Sequence, residues 1–198
     1  MPRTESHPRF YLLIGALWIA GALAFAGSGM LAALAPPRPQ LVFGATTLVL
    51  LLLGAFAPGF RLWIAGLNLR QIVAFHVTRF VGIWFLLLAS SGRLPASWAV
   101  PAGWGDIVIA AAAVGIVLFV PDLIAHRATL LAWNVLGLAD LLYVVGTAAR
   151  QAIAEPPSMA YAVRLPFAAI PMILVPLLIA SHVLLFFRLK REPVSAAG

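Results

Sequence analysis

The sequence predicts an all-α, polytopic transmembrane bundle of six spans, and three observations carry that prediction. Of the 198 residues 63% are hydrophobic and only 10% are charged, and the mean hydropathy is +1.04, whereas a soluble domain is about 45–50% apolar and about 25% charged. Six apolar runs are each long enough to cross about 30 Å of hydrocarbon, roughly 20 residues at 1.5 Å each. Short clusters of Pro, Gly and Ser separate them, so no soluble domain fits between the runs, and residues 1–198 read as a single transmembrane domain. Helices follow because a backbone in lipid must satisfy its own hydrogen bonds.

The first run, Phe10 to Ala35, follows Arg3 and Arg9 and ends at Pro36-Pro37. It is far longer than the 7–15 apolar residues of a cleaved leader, so it reads as an uncleaved signal anchor. The second, Gln40 to Ala57, stops at Pro58-Gly59. The third, Leu69 to Ser90, is interrupted by Gln71, His76 and Arg79, and an interfacial start near Phe60 would leave five spans instead of six. Ser91-Gly92, Pro95 and Pro101 separate it from the fourth, Trp104 to Val120; Trp98 and Trp104 suit a headgroup belt there. The fifth, Thr129 to Ala149, follows Pro121 and an inner loop in which Asp122 and His126 are solvated. The sixth, Pro166 to Phe187, carries Pro166, Pro171 and Pro176, of which the last two bend a helix and release carbonyls.

Charge sets direction. Lys and Arg accumulate on the cytoplasmic side. With the N-terminus inside, the inner segments hold Arg3, Arg9, Arg61, Arg70, Arg127, Arg188, Lys190 and Arg191, and the outer ones hold Arg38, Arg93, Arg150 and Arg164. Both termini are therefore expected in the cytoplasm. The formal net charge of +7 comes from isolated basic residues between apolar runs, which orients a membrane protein and forms no stripe for nucleic acid. The partner implied is the lipid bilayer; oligomeric state is not legible. The absence of Cys removes disulfides, thiolate metal sites and iron–sulfur clusters.

An ionisable group in hydrocarbon costs roughly 2.5–3.5 kcal/mol on insertion scales, so each one needs a partner, a cavity or a route to the interface. His76 and Arg79 share a face of the third span, about 10 and 15 Å deep; Asn134 and Asp140 of the fifth lie about 8 and 17 Å deep. Arg79 and Asp140 are thus at one level, and two arrangements are open: an ion pair, or a snorkelling Arg79 with Asp140 bonded to backbone. His182 of the sixth span shares the band of His76 and Asn134. The two His are candidates for haem ligation, metal binding or proton relay, or are core residues that never meet. The echo between Ala74-Phe75-His76-Val77 and Ala180-Ser181-His182-Val183 falls on one side of the midplane, which argues against an inverted repeat. Asp106, placed at the outer start of the fourth span, is expected to cap that helix, with an outer gate as the functional alternative. Asp122 and His126 alone make a poor metal site, and no metal site is expected.

No P-loop, Gly-x-Ser-x-Gly or His-Glu-x-x-His is present, and no catalytic residue is assigned. The expectation is a non-enzymatic protein that binds or moves a small ligand or proton through a cluster of His76, Arg79, Asn134, Asp140 and His182. Two alternatives are a b-type haem redox protein with His76 and His182 as ligands, and a structural or accessory subunit in which polar groups fix helix register.

Arg79, Leu94-Pro95, Pro101-Ala102-Gly103 with Gly105-Asp106, Trp133-Asn134 with Gly137 and Asp140, and the Pro171, Pro176 and His182 series together resemble an uncharacterised family of bacterial multi-pass membrane proteins. The resemblance runs from the third span to the C-terminus. It implies a bacterial inner-membrane location and a helical bundle, and no activity, ligand or catalytic residue.

Overall fold

The structure is a computed structural model that describes residues 8–191. Arg3 and both chain termini, on which part of the expected orientation rests, lie outside the described residues. Within them every regular element is helical. Six helices are long and apolar enough to cross a membrane: Arg9–Gly27, Arg38–Phe56, Leu69–Ser90, Ala96–Phe119, Arg127–Ala154 and Ile170–Lys190. They are called the first to sixth spans below.

Several boundaries differ from the sequence reading, each for a local reason. The first span stops at Gly27, because Gly29 takes φ +80°, a left-handed conformation that suits glycine, before the short helix Met30–Ala33. The fourth begins at Ala96 and runs through Pro101. One missing donor near a helix start costs less than unwinding the backbone in lipid. Trp98 is therefore buried in the helix, its indole donating to the Val144 carbonyl at 3.2 Å, and does not sit in a headgroup belt. The sixth opens with a π-helical turn, Ile170–Leu174, which takes up Pro171, so Pro166 precedes the span.

The chain divides into two compact units, Met1–Leu67 with Ala149–Ala180, and Asn68–Ala148 with Ser181–Gly198. The first contains the first two spans and the π-helical turn. Its core gathers Ala22, Ala26, Leu31, Ala168 and Met172, with Phe25, Val42 and Phe43 packed around them. Small residues on the first span let the neighbouring segments approach closely. The short helix Pro58–Ala65 buries none of its residues. Its Phe60 and Trp63 rings each lie 5.5 Å from Tyr11, and the Tyr11 hydroxyl occupies the space that a side chain at Gly59 would need.

The second unit holds the third and fourth spans, most of the fifth and the end of the sixth. Asn68 caps the third span, its side chain accepting from the Arg70 amide at 2.9 Å. The Arg70 guanidinium reaches the end of the fourth span, where it donates to Val117, to Val120 at 2.6 Å and to Pro121 at 2.8 Å. These are carbonyls that a helix C-terminus leaves without partners. Between the spans Asp122 accepts from the amides of Ile124 and Ala125 at 2.8 and 3.1 Å, which holds its exposed carboxyl below the usual range. His126 Nδ1 lies 2.8 Å from the Asp122 carbonyl.

The third and fourth spans touch backbone to backbone. A Cβ on Gly82 would lie 2.5 Å from the Gly103 carbonyl oxygen, and one on Gly103 would lie 2.7 Å from that of Gly82. No rotamer change relieves either clash, since the obstacle is main chain. Gly82→Ala and Gly103→Ala are each expected to destabilise the protein by about 1–3 kcal/mol. The double variant should fall short of the sum because both residues share one contact. Unfolding of the purified protein in mixed micelles measures both statements.

Candidate functional site

Every residue of the sequence-derived cluster lies in the second unit. The third span changes character where it carries the polar groups: Leu69–Phe75 is α-helical, His76–Val81 is a 3₁₀ segment, and Gly82–Ser90 is α-helical again. In a 3₁₀ helix side chains three apart eclipse one another. His76 and Arg79 therefore project into the interior one above the other, and both are fully buried.

Arg79 is the hub. Its Nε donates to Asp106 Oδ1 at 2.6 Å, one terminal nitrogen donates to the Gly137 carbonyl at 2.9 Å, and the other pairs with Asp140 Oδ2. The planar fork of a guanidinium suits this arrangement, since it offers five donors in fixed directions and keeps its charge. Counted along their helices, Arg79 lies about 15 Å from Leu69, Asp106 about 15 Å from Ala96 and Asp140 about 20 Å from Arg127. All three are near the middle of their spans. Asp106 is thus not a helix cap: Pro95 occupies that position, and the carboxylate sits well inside the helix, paired with Arg79. Pro101 lies inside the helix and does not break it, so the start is Ala96 instead of Trp104 and the three groups share a level. Asp106 keeps 7% of its side chain exposed and lies away from the outer helix end that a gate needs, whereas Asp140 keeps 22%.

A second layer contains the two imidazoles. The rings of His76 and His182 lie 4.2 Å apart between centroids, tilted by 48°, and both residues are fully buried. Asn134 fixes His182 from two sides. Its amide nitrogen donates to the His182 carbonyl at 3.1 Å, so its Oδ1 accepts from the His182 ring at Nδ1, 2.7 Å away. That assignment makes the neutral imidazole an Nδ1–H tautomer with a bare Nε2. His76 Nε2 lies 3.1 Å from the Ser181 hydroxyl, and Trp133 closes the group edge-on to His76 at 5.0 Å. His76 Nδ1 and His182 Nε2 are buried without a hydrogen-bond partner.

Two glycines bring the layers together. A side chain on Gly137 would meet His182 Cε1 at 2.7 Å and Nε2 at 3.1 Å, so the bare edge of the imidazole lies against the residue whose carbonyl holds Arg79. A side chain on Gly105 would overlap Asp140 Oδ1. Ser181 and the Asp106–Arg79 pairing were not assigned from the sequence. Ser181 is marked there only by its place beside His182, and Asp106 only by its spacing from the true helix start.

The arrangement does not suit a haem ligated by His76 and His182. Two imidazoles on opposite faces of one iron stand about 6 Å apart between ring centres, from metal–nitrogen bonds of roughly 2.0 Å. At 4.2 Å the rings touch each other and leave no slot for a porphyrin. Among the described residues no group of three or more His, Asp or Glu converges on a metal-sized site.

Residues 36–190 match a family model described as a domain of unknown function, DUF8737. The matched stretch takes in the second to sixth spans and every residue of the cluster. No curated protein and no solved structure matches the chain.

Removing one partner of a buried ion pair costs about 3–5 kcal/mol, because the other charge is stranded, while replacing the whole group by apolar residues is near neutral. Arg79→Met is accordingly expected to lose that amount of stability. The combined Arg79→Met, Asp106→Leu and Asp140→Leu variant is expected to regain most of it. Unfolding in mixed micelles, compared across the two variants, checks the difference.

Proposed function

The chain belongs to the DUF8737 family, and because that membership carries no chemistry we propose from the geometry that it is a multi-pass membrane protein that binds and passes protons through its intramembrane polar cluster. The carrying observation is a charge count: one guanidinium faces two carboxylates at the middle of three apolar helices. Fully ionised, the group holds one negative charge too many for a region where an uncompensated charge is expensive. One proton, held on Asp106, on Asp140 or between them, makes it neutral.

The second layer supports the same reading. His182 presents its bare Nε2 against Gly137, next to Arg79, and its Nδ1–H is directed to Asn134. His76 offers a free Nδ1 on one side and the Ser181 hydroxyl on the other. Imidazole exchanges protons at either nitrogen, which suits a relay between such neighbours. A proton also fits better than a larger solute, since glycine contacts and touching rings fill the space between these side chains. The cluster of His76, Arg79, Asn134, Asp140 and His182, joined by Asp106, is the proposed site. The excess of Lys and Arg on the inner segments supports an orientation with both termini cytoplasmic, and the resemblance to bacterial multi-pass proteins supports a bacterial inner-membrane location.

The test is proton movement in vesicles that hold the purified protein and an entrapped pH dye. Under an imposed membrane potential, uptake is expected to exceed that of protein-free vesicles, and Asp140→Asn is expected to slow it at least about tenfold. Infrared difference spectra between acid and alkaline pH should show a carboxyl band that Asp106→Asn or Asp140→Asn removes. Uptake equal to that of empty vesicles, together with no such band, would leave the cluster as a device that only fixes helix register.

A further inference from the structure

The fourth and fifth spans present outward two hydrogen-bond donors that bond to nothing among the described residues. Trp104 is 56% exposed and Tyr143 is 59% exposed. Trp104 lies within about 5 Å of the midpoint of its helix and Tyr143 within about 4 Å. Aromatic residues with polar tips belong at headgroup level, where water satisfies the N–H and O–H; at mid-span an acyl chain offers them no acceptor.

The acceptor is on the same patch. The two spans run antiparallel, since Trp98 bonds to Val144 and Trp133 bonds to Ile109, and Gly105 lies directly against Asp140. Trp104 is therefore level with Asp140. Tyr143 stands one turn along from Asp140 and shares its face. Asp140 gives Oδ2 to Arg79, keeps Oδ1 over Gly105 and leaves 22% of its side chain exposed. Val108 and Leu136, one turn away on the two helices, are also exposed and supply an apolar flank.

We infer that this face joins a second copy of the chain in a two-fold homodimer, with the Tyr143 hydroxyl and the Trp104 indole of each copy donating to the Asp140 carboxylate of the other. A two-fold contact needs a patch that is its own complement. Here donors and acceptor stand together, and an axis along the membrane normal keeps each residue at its own depth, so the groups meet. A lipid supplies no acceptor at this level, and a foreign helix would have to bring groups that the second copy already has.

The chain lacks Cys, so a single introduced cysteine reports alone. In vesicles at high dilution, Leu136→Cys is expected to form a disulfide-linked dimer on mild oxidation, and the singly labelled protein is expected to bleach in two steps. Trp104→Phe combined with Tyr143→Phe keeps the apolar shape and removes both donors. It should weaken association at least about tenfold while the monomer stays folded by circular dichroism. One-step bleaching of the unmutated chain at every dilution would overturn the inference, as would a double variant that dimerises as tightly.

Discussion

A guanidinium set midway along an apolar helix is the constraint on which the second unit depends. Arg79 has no exposed surface, so it cannot be hydrated. It has to be met by fixed carboxyl and carbonyl oxygens. Asp106, Asp140 and Gly137 meet it from two other helices, and that requirement fixes both the rotation and the register of those helices. Apolar side chains facing lipid on one side and each other on the second would tolerate many rotations; a three-pronged charged contact tolerates one.

The same contact explains the glycines. Small residues let helix backbones approach in a membrane, where no hydrophobic force drives association. Here they do more specific things. Gly82 and Gly103 allow the third and fourth spans to touch, Gly105 makes room for the Asp140 carboxylate, and Gly137 makes room for the His182 ring. Gly82, Gly105 and Gly137 each lie beside a residue of the polar cluster, so close backbone approaches and the electrostatic centre coincide. The 3₁₀ segment adds to this by stacking His76 over Arg79, which joins the imidazole layer to the charged one. Both imidazoles keep a buried nitrogen without a hydrogen-bond partner, a cost that packing alone does not offset.

Much was legible in the amino-acid pattern. Composition and run length alone specify helices in lipid, because every other backbone arrangement leaves polar groups unpaired in hydrocarbon. The count of spans follows from the same reasoning. The cost of a buried charge marks Arg79, Asp140, His76, His182 and Asn134 as residues that must turn inward, whatever they turn toward. Proline misled at one point. Pro101 punctuates the sequence without ending the helix, so Asp106, whose spacing reads as a helix start, lies at the level of Arg79.

What the sequence by itself determined, then, is the solvent, the helical class and the list of groups that hydrocarbon will not tolerate, since each of these depends on residue type and local run length. Only the tertiary structure decided which of them meet: that one arginine is shared by two carboxylates, that two tilted imidazoles touch with no room for a porphyrin, and that Trp104 and Tyr143 face outward beside Asp140. Depth along a helix can be counted from the chain, but azimuth cannot. Rotation about each axis comes from contacts with neighbouring helices, and those are made at glycines and ion pairs whose partners lie far away in sequence.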